Sequence, residues 1–113
     1  MSAPAGGWIL DADALAVHLY GGGAALFPTD TLPALAAVPA AAQGLWRLKA
    51  RPAHKPLILM GANTAQLQGA LDQPWDRLWQ EMADAVWPGA VTLVLPWHGP
   101  IAECLHPGGA SLG

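Results

Sequence analysis

Three short segments constrain this chain more than anything else in it. They are Phe27-Pro28-Thr29-Asp30-Thr31, Lys49-Ala50-Arg51-Pro52-Ala53-His54-Lys55-Pro56-Leu57, and Trp87-Pro88-Gly89-Ala90-Val91-Thr92-Leu93-Val94-Leu95-Pro96. Each joins an apolar, strand-like stretch to a turn marked by proline, which fixes φ and withholds a backbone donor. The turns carry hydroxyl, acidic or basic groups, the arrangement by which a rigid scaffold presents chemistry to a ligand.

A chain of 113 residues is one domain, small for an enzyme with two substrates but long enough to bury a core. Apolar residues make up 53% and charged residues 12%, far from the composition of disordered chains. The net charge is −3 with only five Lys or Arg, which argues against broad binding to a nucleic-acid backbone. Arg47, Lys49, Arg51 and Lys55 nevertheless cluster, which allows a local anion site. The single Cys104 has no disulfide partner, and His18, His54, His98 and His106 lack ligand spacing, so no metal site is expected. Residues 1–7 carry no basic leader and read as a flexible N-terminus, and apolar runs are interrupted before membrane-spanning length. A soluble cytoplasmic protein is the expectation.

Asp11 or Asp13 caps a predicted helix through Tyr20, ended by Gly21-Gly22-Gly23. Ala24 to Phe27 reads as a short strand, while periodicity leaves Leu32 to Val38 undecided. Pro39 opens a predicted helix that ends near Arg51, before Pro52. Leu57 to Met60 reads as a fully buried strand, followed by a helix from Asn63 to Leu71. Pro74 is expected to open a further helix, with Trp75, Trp79, Met82, Ala83 and Val86 on one apolar stripe. Val91 to Leu95 is the clearest predicted strand. Beyond Pro96 the chain reads as irregular, its last residues a turn leading into a strand that is not reached. Strands alternating with helices place the chain in the α/β class.

Lys49, Arg51 and Lys55 put three cations within seven residues, suited to phosphate, with a solvated helix end as the competing reading. Thr29, Asp30 and Thr31 follow a strand, where α/β folds place ligand groups, although such residues also satisfy turn amides locally. His54 alone among the histidines lies in the basic segment. Trp75, Trp79 and Trp87 have the aromatic faces to stack on bases, but helical spacing beside Met82 and Val86 favours core packing.

In their order and spacing the three segments resemble the YrdC-like family of threonylcarbamoyl-AMP synthases, over about Trp8 to Gly113. The family's Pro-Thr-(Asp/Glu)-Thr motif corresponds to Pro28 through Thr31, its Lys-x-Arg-Pro-x-x-Lys-Pro-Leu motif to Lys49 through Leu57, and its Trp-Pro-Gly segment to Trp87 through Leu95. Gly109 to Gly113 resembles the start of its (Thr/Ser)-x-x-x-Arg strand. The usual Tyr-Gly after the first motif is Pro33-Ala34 here, the connection from Thr31 to Lys49 is shorter than is typical, and the family's later Ser-x-Asn motif has no counterpart. The resemblance implies a YrdC-like twisted, open mixed sheet with flanking helices over residues 8–113, incomplete at its C-terminus.

It further implies a nucleotidyltransferase that condenses L-threonine, bicarbonate or CO2, and ATP into threonylcarbamoyl-AMP and pyrophosphate, for threonylcarbamoyladenosine modification of tRNA. Thr31 would bind L-threonine, and Lys49, Arg51, Lys55 and Ser111 would bind ATP, with Mg2+ accompanying the nucleotide. The Trp-Pro-Gly segment would serve mainly as scaffold, and no catalytic side chain is implied. The alternative is a noncatalytic module that binds nucleotide, double-stranded RNA or tRNA; a weaker one is the related domain of carbamoyl-transferring maturation proteins.

Overall fold

The computed structural model describes residues 10–29, 31–52, 54–71 and 73–113. The expectation for residues 1–7 lies outside that range. Helix α1 (Ala12–Tyr20) begins where Asp11 Oδ1 accepts from the Ala14 amide at 2.8 Å, and it ends at Gly21. It buries none of its residues, so its cap and its i→i+4 bonds carry it more than packing does. Strands β1 (Ala25–Phe27) and β2 (Ala34–Ala36) pair antiparallel, Leu26 opposite Leu35. The stretch that periodicity left open is therefore the returning arm of a hairpin.

The helix read from Pro39 to Arg51 is broken in two. Pro39–Ala41 forms a 3-10 turn and α2 covers only Gln43–Leu48. Helix α2 ends at its Lys49 cap, Ala50 turns the chain with a φ of 50°, and Pro52 disfavours the helical region at Arg51. Helix α3 (Thr64–Ala70) starts at Asn63, whose side chain accepts from the Gln66 amide. Helix α4 (Arg77–Val86) starts three residues later than expected: Asp76, whose Oδ1 accepts from the Trp79 amide at 2.9 Å, sets the start and Pro74 does not. Ala83 is fully buried on its inner face, with Trp79, Met82 and Val86 half-buried beside it.

Two expected strands are corrected. Residues 57–60 form no regular ladder and are not fully buried; Leu57 and Leu59 pack against the core, whereas Ile58 and Met60 are 54% and 57% exposed. This period of two is that of an extended segment with one face on the core and one in solvent, held along one edge by Leu57 N–H to Leu105 O (2.8 Å) and Leu59 N–H to Gly113 O (2.9 Å). Of residues 91–95 only Leu95 enters a ladder, because 91–94 find no strand partner among the described residues.

The tail is more regular than its sequence suggested. Pro100 opens α5 (Pro100–Leu105), which buries Ala102 and Leu105. The final strand is reached: β4 (Ser111–Leu112) pairs antiparallel with β3 (Leu95–Pro96). The α/β class holds, with two short antiparallel sheets of two strands each among the described residues. The core gathers Ala42, Leu71, Trp97, Ala102, Leu105 and Leu112, and Trp79 packs against Trp97 in a tilted pair with ring centroids 5.9 Å apart. No helix among the described residues is long and apolar enough to cross a membrane.

Candidate functional site

The turn between β1 and β2 divides its two threonines between different tasks. Thr29 Oγ1 donates to Leu32 O at 2.6 Å and accepts from the Thr31 amide at 3.2 Å, so it satisfies the turn itself. Thr31 is exposed and lines a groove of about 530 Å³, a volume in the range of small-molecule sites. Asp30 lies outside the described residues.

The groove runs between residues 58–64 and residues 87–93, with Leu112 and Gly113 between them, and no charged side chain lines it among the described residues. Its polar groups include the hydroxyls of Thr31, Thr64 and Thr92. The Trp-Pro-Gly segment, read from sequence as scaffold, forms one wall. Trp87 Nε1 donates to Val91 O at 2.7 Å, closing the turn through a cis Trp87-Pro88 peptide. Gly89 is required there, since a Cβ would stand 2.7 Å from the Val86 carbonyl oxygen.

Neither Lys49, Arg51 nor Lys55 lines the groove. Lys49 and Lys55 are exposed, as is His54, while Arg51 is half-buried. Arg51 Nη2 donates to Pro56 O at 2.7 Å and its Nε to Lys55 O at 3.4 Å. Trp46 Nε1 donates to the same Lys55 carbonyl at 3.0 Å. Trp46 and Arg51 thus hold the carbonyls of Lys55 and Pro56, and the chain continues directly from there into residues 58–60 on the groove wall. No Asp or Glu occurs from residue 31 to residue 71, and the ion pair found among the described residues, Arg77 with Glu81, lies elsewhere. The loop therefore concentrates positive charge in a chain that is acidic as a whole.

Ser111 is half-buried in β4, its Oγ 3.5 Å from His106 Nδ1. It does not line the groove, but the next two residues do. Of the residues singled out from sequence, Thr31 therefore sits at the groove, Ser111 beside it, and Lys49, Arg51 and Lys55 on the loop that leads into it. Sequence reasoning missed Thr92 and Trp46. Thr92 was discoverable as the one hydroxyl in an apolar run, whereas nothing in the spacing ties Trp46 to a carbonyl nine residues away.

A family model for Sua5/YciO/YrdC, described as "Telomere recombination", matches residues 18–113. The chain belongs to this family. It is 37% identical over 84 residues to the threonylcarbamoyl-AMP synthase of Neisseria meningitidis serogroup A, covering 72% of this chain and 44% of that protein. To the threonylcarbamoyl-AMP synthase of Stenotrophomonas maltophilia it is 38% identical over 104 residues, covering 83% and 52%. The chain thus spans about half the length of the curated relatives it matches. Its fold is similar to a doubly substituted Sua5 from P. abyssi, with a TM-score of 0.77 and 29% identity over 88% of this chain and 31% of that one. The YrdC-like fold expected from the three segments is therefore the fold found.

Proposed function

We propose that this chain carries the threonine- and ATP-binding part of a threonylcarbamoyl-AMP synthase. The reaction would be the condensation of L-threonine, bicarbonate or CO2, and ATP to threonylcarbamoyl-AMP and pyrophosphate, which supplies threonylcarbamoyladenosine modification of tRNA. The observation that carries the reading is the junction of two unlike surfaces. A groove edged by Thr31 and lined by no charged residue among the described ones leads into a loop of cations that, among the same residues, has no carboxylate partner.

In this reading Thr31 contacts the amino acid, and Lys49, Arg51 and Lys55 hold the triphosphate, with Ser111 contacting ATP from β4. Arg51 has five N–H donors and places two on carbonyls, leaving three for phosphate oxygens. Carboxylation of the threonine amine gives a carbamate whose oxygen attacks the α-phosphorus, and the bond to the β-phosphate oxygen breaks as pyrophosphate leaves. No side-chain nucleophile is needed. Cations gathered on one loop stabilise the charge that builds on the leaving pyrophosphate. The described residues contain no group of His, Cys, Asp and Glu able to hold a metal ion, so phosphate oxygens would supply the ligands for magnesium, which enters with ATP.

The test is pyrophosphate release from MgATP, with threonine and bicarbonate each omitted in turn, alongside a MgATP binding titration. The reading expects binding by this chain and release that requires both co-substrates. Absence of MgATP binding at low salt, or release indifferent to threonine, overturns it.

A further inference from the structure

We propose that Trp46 is a positioning residue for the basic loop: its indole N–H holds the backbone from which the Lys55 ammonium reaches phosphate. The inference rests on the reading of this loop as a phosphate site. Besides that of Trp46, several hydrogen bonds among the described residues tie the loop down. The Arg51 amide donates to Trp46 O (2.9 Å), the Lys55 amide to Pro52 O (3.0 Å) and the Leu57 amide to Leu105 O (2.8 Å), while Arg51 reaches the carbonyls of Lys55 and Pro56. Pro52 and Pro56 have no N–H, so the loop has few donors of its own for those two carbonyls.

The two side chains that supply donors are anchored differently. Trp46 is packed against the core, on the last turn of α2, and its ring has two torsions to fix. Arg51 has a long, flexible stem, and its guanidinium is also the group best shaped to grip phosphate. A ligand that draws Arg51 outward would release the Pro56 carbonyl and weaken the hold on that of Lys55. The Trp46 bond at 3.0 Å would then keep the Lys55 backbone in place and free Arg51 to bind. Because the Lys55 carbonyl and side chain leave the same Cα, fixing one direction restricts the other.

Trp46→Phe keeps the aromatic packing and deletes the donor. Amide hydrogen exchange over residues 50–57 and MgATP affinity by calorimetry are measured, with Trp79→Phe in α4 as a core control. Exchange in the loop should quicken about fivefold, the scale of one net hydrogen bond, and the MgATP Kd should rise by a similar factor. Trp79→Phe should alter neither selectively. Unchanged loop exchange in Trp46→Phe overturns the clasp, and faster exchange with unchanged Kd overturns its role in binding. If the unsubstituted chain does not bind MgATP, the proposed function fails and exchange alone decides the clasp. Should the variant not fold, the indole N–H of Trp46 in the unsubstituted chain decides: protection from solvent exchange supports the bond, and free exchange overturns it.

Discussion

Truncating Leu59 to alanine should cost this fold about twice as much stability as the same truncation at Ile58, its immediate neighbour. Either change removes three carbon atoms, worth about 2.4 kcal/mol when fully buried at roughly 0.8 kcal/mol each. Ile58 is 54% exposed, so under half of that, about 1 kcal/mol, is at stake. Leu59 packs against the core and would also leave a cavity, which brings its cost to about 2–3 kcal/mol. Urea and thermal unfolding followed by tryptophan fluorescence measure both, and the gap should appear in the thermal curves as a difference of roughly 5–10 °C in Tm for a domain of this size. Equal losses would refute the one-faced burial of residues 57–60 and restore a strand buried on both faces.

Asp76→Ala should destabilise the whole fold by about 1 kcal/mol, because it uncaps the helix that buries Ala83. Asp11→Ala should only fray α1, which buries nothing; unfolding curves and helix amide exchange separate the two effects. Gly89→Ala should lower Tm by several degrees, since the added carbon meets backbone at 2.7 Å and the groove wall must shift. Thr31→Ala should weaken threonine-dependent pyrophosphate release while Thr31→Ser retains it, the hydroxyl being the group at the groove edge.

Local signals were legible wherever a single residue sets the geometry. Asp11 and Asn63 mark helix starts, Gly21 marks a stop, and Pro39 opens the turn before α2, all visible in the one-dimensional order of caps and breakers. Errors arose where geometry depends on what lies alongside. Val91 to Leu95 has the composition of a strand, but a strand also needs a partner, and only Leu95 has one. Pro74 is a plausible helix opener, yet Asp76 satisfies the first-turn amide and so sets the boundary. The tail looked irregular because Ser111 and Leu112 owe their order to Leu95 and Pro96, more than ten residues earlier.

At the site, residue chemistry carried further than residue placement. Four of the chain's five Lys and Arg lie within residues 47–55, and that was plain in the sequence. Sequence order could not show that Arg51 turns back onto the Lys55 and Pro56 carbonyls, or that the Trp-Pro-Gly segment walls the groove. Both depend on contacts through space.

The central claim, that the basic loop holds the phosphates of a nucleotide, is tested most directly by calorimetric titration of the chain with MgATP as salt is raised. Lys55→Gln and Lys49→Gln are titrated in parallel. The account predicts saturable binding that weakens with salt, and a loss of about tenfold for each variant, the scale of one charge-assisted contact. Binding with the same affinity in both variants, or no binding at low salt, would contradict it.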